Sequence, residues 1–187
     1  FPTVTEIDNY DGFIISGSNS SVNDNDDWIK QLKAFIRVLR LKNKKVFGIS
    51  FGHQIITSAF GGVVSNNPKE WHISVDSIEL NDDGINIFGK DTLKMMYFHK
   101  QIVTSIEGTN MKPIAYKDGY IYGTISEDGN IITLQGHPEY NTNIIKDSIN
   151  KNRVYIDSYE LGRGQSCINN KTDHALISEI IGNHFKQ

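Results

Sequence analysis

The sequence predicts an α/β protein: a three-layer, doubly wound and mostly parallel sheet with helices on both faces and antiparallel additions. Three observations carry that expectation. Short apolar runs rich in β-branched residues alternate with an amphipathic segment through residues 12–59. The crossovers between those runs are too long for hairpins, which makes the strands parallel and lays helices across the sheet. The middle third then changes character, with short strand-like runs set between turn residues, the pattern of antiparallel additions.

The elements follow in order. Residues 12–16 read GFIIS, a buried strand, and the GSNSSVNDND after it is turn chemistry. Asp26 is placed to cap a helix that starts at Asp27. In that helix Trp28, Ile29, Leu32, Phe35, Ile36 and Leu39 recur three and four residues apart and form one apolar stripe. Residues 45–49 make a second short strand. After Gly52 a helix runs to about Ala59 and stops at Gly61 and Gly62. Strands are predicted over 72–79, 85–88, 94–98, 102–105, 113–116, 120–125 and 131–135, with Asp118 and Gly119 as a hairpin turn. Helices are predicted over 141–151 and 173–184. Residues 153–172 show no assignable pattern, and there is no internal repeat.

Bulk properties narrow the function classes. A chain of 187 residues has the length of one domain and can bury a core without disulfides or metals. A net charge of −3 gives no basic face for nucleic acid. The local patch of Lys42, Lys44 and Lys45 reads as a solvated helix end. The lone cysteine, Cys167, excludes an internal disulfide and fits a reducing, cytoplasmic compartment. No run of 18 apolar residues suggests a membrane span, and no basic segment followed by an apolar one suggests a leader. The histidines are dispersed without ligand spacing, so no metal is expected. GSNSS lacks the G-K-[ST] ending of a phosphate loop, so no nucleotide cofactor is expected in this chain.

The strongest local motif is GISFG, residues 48–52, which matches the G-x-S-x-G nucleophile elbow. One residue between a strand and a helix is forced into a strained backbone conformation, and its side chain leaves the sheet. Flanking glycines are needed where a Cβ would collide. The same turn aims the Phe51 N–H at the helix N-terminus, where it can serve an oxyanion. KKVFGI before the motif reads as a strand and HQIITSAF after it as a helix. A serine nucleophile needs a histidine base, and the histidine a carboxylate. Of the six histidines, His53 lies in the elbow helix and points away from Ser50, while His174 and His184 lie on the last helix at expected solvated positions. His137 differs. It follows the apolar run IITLQ, Pro138 stiffens the turn behind it, and Glu139 is two residues on. The order nucleophile, His, Glu departs from the Ser, Asp, His order of α/β-hydrolases.

GISFGHQ followed by QGHPEY resembles the class I glutamine amidotransferase pattern, G-x-C-x-G-H-Q and then G-H-P-E, with Ser50 at the cysteine position. DGFIISGSNSSVNDNDDWI, GGVVSNNPKEW, YFHKQIV and TDHALISEIIGNHF extend the resemblance over nearly the whole chain, toward free-standing, GMP-synthase-like members with a flavodoxin-like sheet. The resemblance implies hydrolysis of the side-chain amide of glutamine or of a γ-glutamyl compound through a covalent γ-glutamyl intermediate. Ser50 would be the nucleophile, His137 the proton relay and Glu139 its orienter. Gly17 and Phe51 would offer N–H groups to the oxyanion, and Gln54 would help hold the substrate. ATP would fall to a separate synthetase partner.

Three departures from the family pattern stand out. Serine replaces cysteine at position 50. Gln101 stands where relatives have the Asp of a His-x-Asp-x-Val segment. The first strand or two of the family sheet has no counterpart before Phe1, so residues 1–187 are expected to be a single amidotransferase-like domain short of its N-terminal strands. Ser50 leaves several readings open: an impaired amidohydrolase, natural or substituted at that position, a binding or sensing protein that has lost its nucleophile, or a true serine hydrolase.

Overall fold

A computed structural model describes residues 1–186. Strands β1 (Gly12–Ile15), β2 (Lys45–Ile49) and β9 (Ile131–Leu134) lie side by side and parallel, with Ile15 opposite Gly48 and Ile49 opposite Leu134. The sheet continues through β8 (Tyr120–Ser126), β7 (Met111–Lys117), β4 (His72–Leu80) and β5 (Thr92–His99), all antiparallel to their neighbours. β3 (Val63–Asn66) and β6 (Gln101–Ser105) form a side branch on β8. The parallel part is thus three strands wide, and the antiparallel additions form a larger share of the sheet than the sequence suggests.

Neighbouring residues of β2 pack toward opposite faces, which is what makes the sheet doubly wound. Val46 joins Ile29, Leu32, Ile36 and Leu39 of α1 (Asp27–Leu41) and Ile55 and Ile56 of α2 (Phe51–Ala59). Phe47 and Ile49 join Phe88 of α3 (Asp82–Phe88) and Ile177 of α6 (His174–Lys186). A third core forms where Ile145 and Ile149 of α4 (Thr142–Asn152) meet Trp71, Ile73 and Phe98.

Three expectations are not met here. Residues 85–88 are helical, because the Asn81 side chain accepts the Gly84 N–H at 3.0 Å and Gly89 closes the helix in the left-handed region. Their apolar run reads equally as strand or helix at that length. His184 is buried, not solvated, and its Nε2 bonds the Asn130 carbonyl at 3.0 Å. The unassigned stretch holds α5 (Ser158–Cys167), which covers an edge of β4. Glu160 and Cys167 there accept the Ile73 and Val75 N–H groups at 3.2 and 3.1 Å, a side-chain substitute for a neighbouring strand. Asp26 sits at the N-cap of α1 without a side-chain capping bond.

Candidate active site

Three neighbouring parallel strands end at one level, so the residues just past their C-terminal ends meet, as ligand-binding residues do in open α/β sheets. Gly17 follows β1 by two residues, Ser50 follows β2 directly, and His137 follows β9 by three. The Ser50 N–H donates to the Leu134 carbonyl at 2.8 Å and ties the elbow to β9. The His137 N–H donates to the Met96 carbonyl at 2.8 Å and ties that turn to β5. A Cβ built on Gly17 would lie 3.0 Å from His137 Cε1 and 3.9 Å from Ser50 Cβ, so both side chains crowd one point beside the glycine.

The elbow is strained as its sequence demands. Ser50 has φ 55° and ψ −106°, a backbone state that costs about 1–3 kcal/mol for a residue with a side chain. A Cβ on Gly48 would lie 2.9 Å from the Gly52 backbone, and one on Gly52 would overlap the Ile15 carbonyl oxygen. The glycines therefore let β1, β2 and α2 approach closely. Phe51 opens α2, so its N–H has no carbonyl within the helix to donate to.

His137 is buried and stacked on Tyr140, with ring centroids 3.9 Å apart. Its Nδ1 lies 2.8 Å from Glu139 Oε1. A carboxylate only accepts, so Nδ1 carries the proton and Nε2 presents a lone pair in the neutral ring. That Nε2 is buried and has no hydrogen-bond partner among the described residues. Pro138 and Glu139 make the turn that returns the carboxylate to the ring, with the Tyr140 N–H on the His137 carbonyl at 3.4 Å.

A cleft of about 280 Å³ opens at Ser50, with Ser18, Phe51, Gln54, Trp71, His99 and Gln101 among its lining. Gln54 Nε2 donates to the Gln101 carbonyl at 2.8 Å and to Gln135 Oε1 at 3.0 Å. Both amide hydrogens are used, which leaves the Gln54 carbonyl oxygen as the group free to serve a ligand. At the far end Lys100 Nζ lies 4.6 Å over the Trp71 ring, and the Trp71 indole donates to the Tyr155 carbonyl at 2.8 Å.

The other histidines have different work. His53 is fully buried in α2, with Nε2 on the Ile121 carbonyl at 3.1 Å and Nδ1 on Thr133 Oγ1 at 2.7 Å. Burial pushes its pKa down to about 4, so it is neutral at pH 7. Cys167 serves α5 and lines no part of the cleft. Sequence reasoning missed Trp71, Lys100 and His99 as parts of the cleft wall. The YFHKQIV segment draws the eye to the Gln101 side chain, whereas it is the backbone carbonyl that meets Gln54 and His99, and a carbonyl leaves no trace in residue identity.

A family model for glutamine amidotransferase class-I matches residues 2–156. The chain belongs to the class I glutamine amidotransferase family. It is 35% identical over 157 residues to gamma-glutamyl peptidase 4 of Arabidopsis thaliana, a match over 81% of this chain and 62% of that protein. It is 31% identical over 150 residues to the glutamine-hydrolyzing GMP synthase of Borreliella burgdorferi, over 79% of this chain and 28% of that one. The chain spans about 62% of the length of the gamma-glutamyl peptidases it matches. Among solved structures, a glutamine amidotransferase from Thermotoga maritima superposes with a TM-score of 0.74 at 16% identity, covering 93% of this chain and 78% of that one. One from Methylobacillus flagellatus gives 0.73 at 19% identity, covering 99% and 75%. The fold is that of class I glutamine amidotransferases, and the relatives' names mark a hydrolase-type enzyme family. Among the described residues no helix is long and apolar enough to cross a membrane.

Proposed function

We propose that this chain is a γ-glutamyl amide hydrolase with Ser50 at the nucleophile position, and that the serine makes it slow. The observation that carries the reading is the His137 ring. Its Nδ1–H is held by Glu139, its Nε2 is buried and bare, and Gly17 and Ser50 crowd its edge. Gamma-glutamyl peptidase relatives support the substrate class.

In this reading the Ser50 Oγ attacks the γ-carbonyl carbon as its proton passes to His137 Nε2. The Gly17 and Phe51 N–H groups hold the oxyanion. His137 then gives the proton to the leaving nitrogen, the C–N bond breaks, and ammonia or an amine departs. Water, deprotonated by His137, adds to the γ-carbonyl carbon, the C–O bond to Ser50 breaks as His137 returns that proton to the Ser50 Oγ, and glutamate is freed. Gln54 offers its carbonyl oxygen to the substrate's ammonium group. Residues 1–186 act as one unit, since the cleft draws on both Ser18 and Asn152. Where ATP-dependent synthesis uses the ammonia, a separate synthetase partner supplies that chemistry, in a cytoplasmic, reducing setting that keeps the Cys167 thiol.

A second reading rests on the oxygen itself. A site shaped for a thiolate does not activate a hydroxyl as readily, and a binding or sensing protein would retain the pocket without turnover. The test is glutamate release from glutamine and γ-glutamyl peptides by the parent, Ser50→Cys and His137→Ala. The hydrolase reading expects Ser50→Cys to raise the rate by about 10²-fold or more, within the range that nucleophile and base chemistry spans. Ser50→Cys as inactive as His137→Ala on every substrate favours the binding protein. A fast parent slowed by Ser50→Cys marks a true serine hydrolase.

A further inference from the structure

The cleft wall includes His99, backed by His72, a pair of buried histidines that the proposed mechanism does not use. His72 and His99 stand opposite each other in the antiparallel β4–β5 pair. Both are buried, His72 stacks on Tyr97, and both rings meet the edge of Tyr122.

The proton positions in this cluster follow from its acceptors. The Gln101 carbonyl can only accept, and it lies 3.0 Å from His99 Nδ1 and 2.8 Å from Gln54 Nε2. His99 Nδ1 therefore carries a proton. Burial, then the neighbouring His72, hold the His99 pKa well below the ordinary range, so its Nε2 is a bare acceptor. The atom facing that Nε2 is His72 Nδ1 at 3.2 Å, so His72 Nδ1 is protonated too, and it also reaches Tyr122 Oη at 3.0 Å. His72 Nε2 meets Ser74 Oγ at 2.8 Å, and Asp76 stands 3.5 Å away with Arg163 and Lys117 on it. The donors run one way, from His72 through His99 to the Gln101 carbonyl.

That carbonyl decides how Gln54 faces. Gln135 has its own amide, whose buried Nε2 has no partner among the described residues, and it can present either end to Gln54. The Gln101 carbonyl has no such freedom. It compels Gln54 to turn its nitrogen inward and its oxygen toward the cleft. We propose that His99, oriented by His72, is a positioning residue that fixes the Gln101 carbonyl and through it the direction of the Gln54 amide. Only the ligand named in the test rests on the γ-glutamyl reading; the geometry does not.

The test uses three substitutions at one position. His99→Asn places an amide nitrogen where Nδ1 stood, whereas His99→Gln places one where Nε2 stood and His99→Phe places none. L-glutamine and a γ-glutamyl dipeptide are titrated calorimetrically into the Ser50 chain and each variant, and the Gln54 side-chain amide is followed by ¹⁵N NMR. His99→Asn is expected to keep the Gln54 signal in place and the affinity within about threefold. His99→Gln and His99→Phe are expected to shift or broaden that signal and weaken binding about tenfold, the scale of one lost hydrogen bond. A purely structural role would lower Tm in all three and leave the affinity of the folded fraction alone. If His99→Phe fails to fold, His99→Gln carries the comparison. An unmoved Gln54 signal in His99→Gln overturns the inference. A parent that binds neither probe counts against the γ-glutamyl reading, while the Gln54 signal still decides this one.

Discussion

Chemistry at residue scale turns on two small groups, the Gly17 hydrogen and the Glu139 carboxylate. An alanine at position 17 would put a methyl 3.0 Å from His137 Cε1, tighter than an ordinary contact, and the ring would have to give by a few tenths of an ångström, enough to disturb its bond to Glu139. Gly17→Ala in a Ser50→Cys background should lose at least about 10²-fold in glutamate release, within the range of displaced general-base catalysis. The wall of the cleft should still bind glutamine, and Tm should stay near that of the parent. Normal turnover would show that position 17 has no bearing on the ring. Glu139→Gln probes the other side of the imidazole. A glutamine amide can donate to Nδ1 and pin the proton on Nε2, the tautomer that cannot serve as base. Its turnover should fall by about 10²–10⁴-fold with Tm little changed, because the Glu139 side chain is 39% exposed. Steady-state rates of both variants beside their Tm values check this.

At the scale of elements, the strand–elbow–helix unit was legible because several levels of the sequence agree on it. The apolar β2 run, the two glycines and the α1 stripe each demand the same local geometry, and Ile29, Leu32, Ile36 and Leu39 are buried as that stripe requires. The hairpin at Asp118 and Gly119 was legible for the same reason, both residues having positive φ. α3 and α5 were not. The first is decided by an Asn81 cap and a contact with α6, the second by two side chains that close a strand edge, and neither leaves a periodic pattern. The site followed the same rule. Residues of the two motifs were readable as side chains, while the wall around Gln54 is built from a backbone carbonyl and a cross-strand histidine pair. Gly52→Ala tests the packing claim. Its methyl would overlap the Ile15 carbonyl oxygen and pry β1 from α2, so urea unfolding should show a loss of about 1–3 kcal/mol. An unchanged midpoint would mean that the close approach is not required.

Across the whole molecule, the buried histidines set the response to acid. Burial lowers the pKa of His53 to about 4 and also lowers those of His72, His99 and His184. The unfolded chain takes up those protons near the ordinary value of 6.5, before the folded one does. Stability is therefore full above pH 6.5 and is lost as the pH falls toward the folded values. His53 alone contributes about 3 kcal/mol of that loss by pH 4. Asp76, held far below the usual carboxylate range by His72, once that ring takes a proton on Nε2 as well, and by Lys117, adds a further loss only at lower pH. Urea midpoints should fall steadily between pH 7 and 5, and a flat profile there would mean that these rings are not buried neutral. The cleft joins these scales, because the ends of three parallel strands, one elbow and one turn have to meet for Ser50 and His137 to share a point.

The most direct measurement of the central claim is the intact mass of the Ser50→Cys chain, quenched in acid during turnover of a γ-glutamyl anilide and followed by peptide mapping. A γ-glutamyl group on residue 50, absent when His137→Ala is added, is the expected result. Glutamate release with no adduct at position 50, or an adduct carried by Cys167, would contradict it.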